Sequence, residues 1–263
     1  MRALLLSLML AVAATPAPAQ APTLASHRAV YDLALALAAS GSGIVGARGR
    51  LALEWADACD GYTLHQRVRN VVERTEGAHV ADLTVSTWEA GDGSEFRFSS
   101  RHVVNDETVE EIRGRAHIRG DDRVASFTRP PRAALELPAD TMFPTRHTLE
   151  LIERAARGAT FVEAAVFDGA SAEGAQHTGA VILGFHAPGT YRGEGETTLA
   201  RLRSWRVRLA YFEHGDGRAD SKPDFEIGFR LFENGVATDV VIDYGDFALE
   251  GVLRLLELLP SDC

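Results

Sequence analysis

The chain has 263 residues, of which 46% are hydrophobic, 24% charged and 8% aromatic, the composition of an ordinary globular protein. Disorder, collagen and coiled coil are excluded by these values. Acidic residues outnumber Lys and Arg by 37 to 27, giving a formal net charge of −10, and this balance argues against nucleic acid as a partner.

The first segment has the pattern of a cleavable secretory signal peptide. A single arginine precedes an apolar run over residues 3–14, and a small-residue site, Ala17-Pro18-Ala19, follows it. The run is too short to span a bilayer, which takes about 20 apolar residues, and no later stretch is apolar enough to do so. Cleavage after this site divides the chain into a signal peptide, residues 1–19, and one exported domain, residues 20–263.

Two cysteines, Cys59 and Cys263, lie in the predicted exported part. In an oxidising compartment two thiols that can meet are expected to form a disulfide. Such a bridge would enclose almost the whole domain, for which the chain-entropy account gives on the order of 5 kcal/mol of stability. A free or intermolecular thiol is the alternative, but neither cysteine has a nearby His or the CxxC spacing that would activate it.

From His27 onward, apolar and polar residues alternate with period two, and turn residues interrupt the pattern about every ten positions. This pattern predicts antiparallel strands. Pro130 and Pro131 end the series in the first half, because proline cannot donate to a strand ladder. The strands predicted in that half are residues 31–37, 51–55, 62–72, 80–88, 96–98, 108–119 and 123–128.

One helix is predicted in the middle of the chain, over residues 145–157. Thr145 can cap its N-terminus, and Gly158 can end it in a left-handed conformation. Strands then resume over residues 160–167, 178–185 and 205–212. The predicted buried face of the helix consists of Leu149, Ile152, Ala155 and Ala156.

The clearest local signal is Asn234-Gly235, which stands between alternating runs over residues 225–231 and 236–242 and predicts a tight hairpin. The apolar density of residues 247–259 suits either a helix or a buried strand. We favour a strand, because Gly251 is unfavourable inside a helix. The whole pattern predicts a mainly β domain with one substantial α-helix.

Candidate catalytic and ligand-binding motifs are weak. The GxGxxG match over residues 41–46 is followed by an alternating strand and not by a helix, so we interpret it as a hairpin turn and not as a nucleotide-binding loop. No GxSxG, SxxK or catalytic-Cys pattern occurs, and the sequence selects no pair of carboxylates. We predict no catalytic residues, no cofactor and no enzymatic activity.

A metal site is also not predicted. None of the nine histidines has an HxH, HxxxH or HExxH spacing, and His65, His102 and His117 fall on polar faces of strands, where solvent exposure or hydrogen bonding explains them. Residues 213–223 form the most polar loop. Its acids, with one that follows it, could bind calcium, although a solvated surface turn is the simpler interpretation. They are Glu213, Asp216, Asp220 and Asp224.

Aromatic residues are common in the predicted strands, and they have two interpretations. They can fill a closed core, or they can line the concave face of a curved sheet that holds a lipid or an acyl chain. The sequence leaves both open. The aromatic side chains concerned are Trp88, Phe96, Phe98, Trp205, Tyr211, Phe225 and Phe229.

Several segments, taken in order, resemble the EipB-like cell envelope integrity family of alphaproteobacterial periplasmic proteins. The resemblance runs from about His27 to Cys263, and no single motif is specific on its own. The matching segments are His27-Arg28-Ala29-Val30-Tyr31-Asp32-Leu33, Arg48-Gly49-Arg50, Cys59-Asp60-Gly61-Tyr62, Phe143-Pro144-Thr145, Glu233-Asn234-Gly235-Val236 and Asp243-Tyr244-Gly245-Asp246-Phe247.

The resemblance implies a periplasmic protein with an antiparallel sheet wound into a spiral or incomplete barrel, one substantial helix, and a disulfide at the positions of Cys59 and Cys263. It also implies a role in envelope integrity under stress, without established catalytic residues. Two mechanisms are then open. We expect the protein either to bind or scaffold another envelope component, whether protein, cell wall or lipid, or to carry a lipid or lipoprotein acyl chain. A hydrolase is the least supported class.

Overall fold

The computed structural model describes residues 23–212, 222–260 and 263, and one sheet of 15 strands dominates them. The predicted signal peptide and most of the predicted loop 213–223 lie outside the described residues. In chain order the elements are β1 (His27–Ala38), β2 (Ile44–Asp57), β3 (Gly61–Arg74), β4 (Gly77–Ala90), β5 (Glu95–Val104), β6 (Glu107–Arg119), β7 (Asp122–Arg129), β8 (Leu135–Glu136), β9 (Thr141–Met142), α1 (Pro144–Ala156), β10 (Phe161–Val166), β11 (Gln176–His186), α2 (Glu196–Leu199), β12 (Ser204–Phe212), β13 (Phe225–Phe232), β14 (Ala237–Asp243) and β15 (Phe247–Leu258).

The sheet consists of two meanders joined at one place. The first runs from β1 outward to β8, the second runs from β9 back to β15, and all neighbours within a meander are consecutive in the chain. Among the strands of the described residues, only β1 and β15 are paired although they are distant in sequence. All pairings are antiparallel except that of β9 with β10. The prediction of a mainly antiparallel sheet is confirmed.

The two ends of the sheet are connected by one short stretch of chain. β8 pairs with β7, and the N–H of Leu137 donates to the carbonyl of Arg123 over 2.9 Å. Four residues later β9 pairs with β10, and the N–H of Phe167 donates to the carbonyl of Met142 over 3.0 Å. The sheet is therefore not closed into a barrel, and the expectation of a spiral or incomplete barrel is confirmed.

The predicted hairpins are present. Residues 41–46, the GxGxxG match, form the turn between β1 and β2 and the first residues of β2. Gly235 has φ +85° and its N–H donates to the carbonyl of Phe232 over 2.9 Å, as the tight turn between β13 and β14 requires. The ambiguous last segment forms β15, which pairs with β1 along its whole length and with β14 over four residues. The preference for a strand there is confirmed.

The helix α1 is confirmed, and its C-terminus ends as predicted. Gly158 has φ +85°, and its N–H donates to the carbonyl of Ala155 while the next N–H donates to that of Arg154, both over 3.0 Å. These two bonds define a Schellman motif. The predicted buried face was partly wrong. Ala156 is exposed and Leu151 is buried in its place beside Ile152, because the helix presents a different edge to the sheet.

The predicted N-terminal cap was wrong. Phe143 precedes the helix, Pro144 is its first residue, and no side chain of the helix's own sequence caps it. The carboxylate of Glu89, in β4, accepts the backbone N–H of Thr145 over 2.7 Å and that of Arg146 over 2.8 Å. An acid on a distant strand therefore satisfies the free N–H groups that the prediction assigned to the hydroxyl of Thr145.

An aromatic cluster joins the two meanders. Phe96 lies 4.9 Å from Phe143, and Phe98 lies 5.2 Å from Phe167, measured between ring centroids. All four rings are buried. Strand β5 thus packs on the residues that flank α1 and β10. Of the seven aromatic residues that could fill the core or line a concave face, Phe96, Phe98 and Trp205 are buried, whereas Trp88, Tyr211, Phe225 and Phe229 are only partly so.

Candidate functional site

The concave face of the sheet is occupied by α1. Leu151 and Ile152 are 3% and 2% exposed, and they pack with Val162 of β10 and Trp205 of β12. Trp55 of β2 packs against the same cluster from the other meander. The helix thus fills much of the space in which a carrier protein would hold an acyl chain.

A cavity of about 190 Å³ remains at the N-terminus of α1. Its walls include Tyr31, Leu53, Trp55 and Leu64 from the sheet and Pro144 from the helix. Pockets that bury a drug-sized ligand measure about 300 to 1,000 Å³. This cavity is smaller than that range.

The pKa of Glu89 is raised to about 7 by burial, against the opposing effect of the two backbone N–H groups that it accepts and of the Arg146 guanidinium. Glu89 is 2% exposed. Tyr62, which stands opposite Glu89 on β3, is a further titratable group that faces it. This carboxyl group caps the N-terminus of α1, at the end of the helix that lines the cavity.

His147, on the first turns of α1, is 4% exposed. Burial lowers its pKa to about 4, and Glu150 opposes this shift. The ring Nε2 is buried and has no hydrogen-bond partner among the described residues. The sequence search, which tested histidine spacing, did not single out this residue.

The two cysteines form a disulfide at the same end of the sheet. Cys59 lies in the turn between β2 and β3, and its N–H donates to Oδ1 of Asp57 over 2.9 Å. The hydroxyl of Ser26 accepts the N–H of Asp57, and the carbonyl of Ser26 accepts the N–H of Leu259, over 2.9 and 2.8 Å. Ser26, near the start of the described residues, and Leu259, near their end, are thus held together beside the last residue of β2.

Strand β10 has a free edge. Over the described residues it pairs with β9 only at its last two positions, so residues 161–164 have no strand on that side. The carbonyl of Thr160 accepts the N–H of Ile182 over 2.9 Å, and antiparallel alternation then directs the backbone groups of Phe161 and Glu163 away from β11. An extended chain could pair with these groups.

Apolar side chains lie exposed beside this edge. Phe161, Val181 and Leu183 are 51%, 41% and 59% exposed, and Phe161 stands directly opposite Val181 in the ladder. The Phe161 ring lies over Gly179, since a Cβ built there would be 3.5 Å from two of its atoms. We call Phe161, Val181 and Leu183 the edge patch. A free edge and an exposed apolar patch are both features that proteins usually protect.

The other sequence-selected residues do not form a site. His65 is exposed and 3.1 Å from the hydroxyl of Ser86, and His117 is 2.9 Å from Asp122, while His102 is partly buried. Within the described ranges no cluster of three or more His, Cys, Asp or Glu side chains is arranged to hold a metal ion. Of the four loop acids, only Asp224 is described, and it is exposed.

The edge patch was missed at the sequence level, although its signal was present. Phe161 and Val181 were placed in predicted strands, but alternation alone does not tell which face is buried. Glu89 was missed because its partners are more than 50 residues away in the chain. The short elements β8, β9 and α2 were also not predicted.

The protein thus belongs to the class of open, mainly antiparallel sheets that wind around one helix. Its first and last strands are paired, and a disulfide lies at their end. The chain belongs to the EipB-like family, whose model matches residues 18–260. No helix within the described part of the chain has the length and apolar character needed to cross a membrane.

Two relatives from Brucella abortus agree with this assignment. The cell envelope integrity protein EipB of strain 2308 is 35% identical over an alignment of 246 positions, and the alignment covers 92% of this chain and 87% of the relative. A crystal structure described as a beta-barrel-like protein of a domain of unknown function matches with a TM-score of 0.82 and 35% identity. That match covers 91% of this chain and 100% of the solved one. Membership of this family supports a role in envelope integrity.

Proposed function

We propose that the protein supports envelope integrity as a non-enzymatic periplasmic module that binds an extended segment of another envelope protein. The free edge of β10 carries this proposal. The backbone groups of Phe161 and Glu163 would pair with the added strand, and the edge patch would receive its apolar side chains. The proposed export of residues 20–263, as one domain, would bring the edge into contact with envelope proteins.

The carrier mechanism has less support. The helix α1 packs on the concave face, and the cavity beside its first turn measures about 190 Å³. An acyl chain placed between α1 and the sheet would have to displace Leu151 or Ile152, both of which are buried in the cluster with Trp205. Moving such side chains from their cluster would cost about 2 to 5 kcal/mol each, by comparison with truncation of buried leucines.

The proposal is tested with a charged double variant, Val181→Asp with Leu183→Asp, expressed in a bacterium that lacks its own copy of the gene. The matched control is Leu37→Asp with Val45→Asp, because those side chains are 62% and 64% exposed and lie at the far β1–β2 turn. We expect the control to restore resistance to detergent and the edge variant to fail. Both should keep the far-UV circular dichroism and melting temperature of the parent.

Photocrosslinking identifies the partner in the same cells. A benzoylphenylalanine at position 161 should crosslink to one protein in stoichiometric amount. The same photoreactive residue at position 45 should not crosslink to that protein. Glu163→Pro removes an edge N–H without changing the apolar patch, and it should abolish the crosslink. Full detergent resistance with the edge variant, or a crosslink insensitive to Glu163→Pro, would refute strand addition.

Native mass spectrometry of the gently purified protein separates the two mechanisms. Extra mass that disappears on organic extraction would favour the carrier. A bare chain would agree with the binding module. The carrier mechanism also predicts that enlarging the cavity, for example by Leu64→Ala in its wall, raises the amount of bound lipid.

A further inference from the structure

Four exposed arginines cluster on the outer face of β5 and β6. Arg97 and Arg101 lie on the same face of β5, and Arg113 and Arg115 lie on β6. Arg97 stands directly opposite Arg115, and Ser99 stands opposite Arg113. Like charges in directly opposed positions repel and destabilise a sheet. We call these four side chains the arginine face.

Nearby acids do not neutralise the arginine face. Glu95 is 4.0 Å from Arg97, but it is only 2.7 Å from Arg119, which lies beyond the cluster. Glu111, which stands opposite Arg101, is 3.1 Å from Arg129. The charge of Glu111 is thus paired with an arginine outside the face.

The remaining three arginines have no acid partner within the described ranges. No carboxylate there lies within 4.0 Å of Arg101, Arg113 or Arg115, and Arg101 donates instead to the hydroxyl of Thr108 over 2.9 Å. The positive charge continues onto β3, where Arg67 and Arg69 share the single carboxylate of Asp82 at 2.5 and 3.8 Å. The face is therefore strongly positive in a chain whose net charge is −10.

Trp88 belongs to the same surface. It lies on β4 opposite Arg97, and the guanidinium carbon of Arg97 is 4.4 Å from its ring centroid. Indole side chains favour the boundary between water and lipid, because they combine an apolar ring with a polar N–H group. Neither interpretation left open by the sequence, core filling or lining of a concave face, applies to Trp88, since its strand position directs it to the outer face with Arg97.

We propose that the arginine face docks the protein on the phosphate groups of an anionic lipid surface. Guanidinium groups bind phosphate in a bidentate manner and remain charged at every physiological pH. The face spans adjacent strands on the outside of the sheet, so it suits many phosphates in a plane better than one small ligand in a pocket. It lies on the first meander, whereas the edge patch lies on the second, so lipid and protein partner could be held together.

The test is flotation of the full-length purified protein with vesicles of phosphatidylglycerol and phosphatidylethanolamine, at 50 and 500 mM NaCl. Vesicles of phosphatidylcholine alone serve as the uncharged reference. We expect binding to the anionic vesicles only, and we expect it to be lost at high salt, because salt screens surface charges.

The test variant is Arg113→Gln with Arg115→Gln, and its binding constant should fall about 30-fold, because each arginine near an anionic surface accounts for about fivefold. The control variant is Arg201→Gln with Arg206→Gln, which makes the same change of charge on exposed residues of the second meander. The control should bind like the parent. Any apolar N-terminal segment that remains is common to all the variants, so it cannot account for a difference in binding between them.

Three outcomes would overturn the proposal. They are equal binding to phosphatidylcholine, equal loss in both double variants, and full binding by the arginine-face variant. A parent protein that binds neither kind of vesicle would overturn the proposal as well, and this is the result expected of a face that instead captures an acidic protein. Melting temperature and circular dichroism show that each variant is folded before its binding is compared. The charge-conserving double variant Arg113→Lys with Arg115→Lys should retain most of the binding.

Discussion

Glu89 and His147 are two buried titratable groups at the N-terminal end of α1. They should make the free energy of unfolding depend on pH in opposite directions, and the two effects should nearly cancel. Burial raises the pKa of Glu89 from 4.5 to about 7, and it lowers the pKa of His147 from 6.5 to about 4. Each shift spans about 2.5 pKa units, and one unit corresponds to about 1.4 kcal/mol. Each group therefore changes the free energy of unfolding by about 3 kcal/mol across its own range.

The two signs differ. Between pH 4.5 and 7 the folded protein keeps the Glu89 proton that the unfolded chain has lost, so the free energy of unfolding falls as pH rises. Between pH 4 and 6.5 the unfolded chain binds a proton on His147 that the folded protein does not, so the free energy of unfolding rises with pH. The two slopes overlap from pH 4.5 to 6.5 and oppose each other there.

Single substitutions should reveal each slope. In Glu89→Gln the amide oxygen can still accept an N–H of α1, and the free energy of unfolding should rise with pH by about 3 kcal/mol more than in the parent between pH 4.5 and 7. In His147→Leu it should fall with pH by about 3 kcal/mol more than in the parent between pH 4 and 6.5. Between pH 4.5 and 6.5, where the two slopes oppose each other, the double variant should follow the parent apart from a constant offset.

The measurement is urea unfolding in half-unit steps from pH 4 to 8, compared as differences from the parent so that all other acids cancel. Glu107→Gln is the control, because Glu107 is an exposed acid at the start of β6. It should give no slope of this size. Parallel curves for Glu89→Gln and the parent would refute the assignment of a buried, protonated carboxyl group, as would a difference of the opposite sign.

Three further predictions concern stability. Cys59→Ser should lower the melting temperature, with strand content retained by circular dichroism, because the bridge restricts the unfolded chain, and an equal melting temperature with and without reductant would contradict this. Gly169→Ala should cost about 1 to 3 kcal/mol more than Gly189→Ala in urea unfolding, because both have positive φ but only the first would place a Cβ against Phe98, and equal costs would refute the close packing. Tyr31→Phe should cost about 1 kcal/mol through loss of the buried hydroxyl's bond to β14, and an unchanged midpoint would show that bond to be dispensable.

The strands were predictable because their alternation has a period that no other element shares. The Asn-Gly turn, the helix and the strand character of the last segment followed from local chemistry in the same way. Alternation also places Trp88 and Arg97 on one face, and Phe96 and Phe98 on the other. It could not tell which of these faces would be covered by α1, because that depends on the curvature of the sheet.

The candidate site depends on contacts between distant segments, which a periodic pattern does not encode. Glu89 caps α1 from β4, and the free edge of β10 exists because the chain before α1 covers only the last two residues of that strand. Neither feature can be recognised from the residue types at its own position in the sequence. The alternation of the edge patch was visible, but its exposure was not.

The pairing of β1 with β15 sets the order in which the protein can be assembled. Every other pair of neighbouring strands is consecutive in the chain and can form while the chain is still emerging. β1 is among the first strands to appear, yet one of its edges has no partner until residues 247–258 arrive. The newly made first meander must therefore keep that edge from pairing with other chains, and its fold is completed only when the last residues have been delivered.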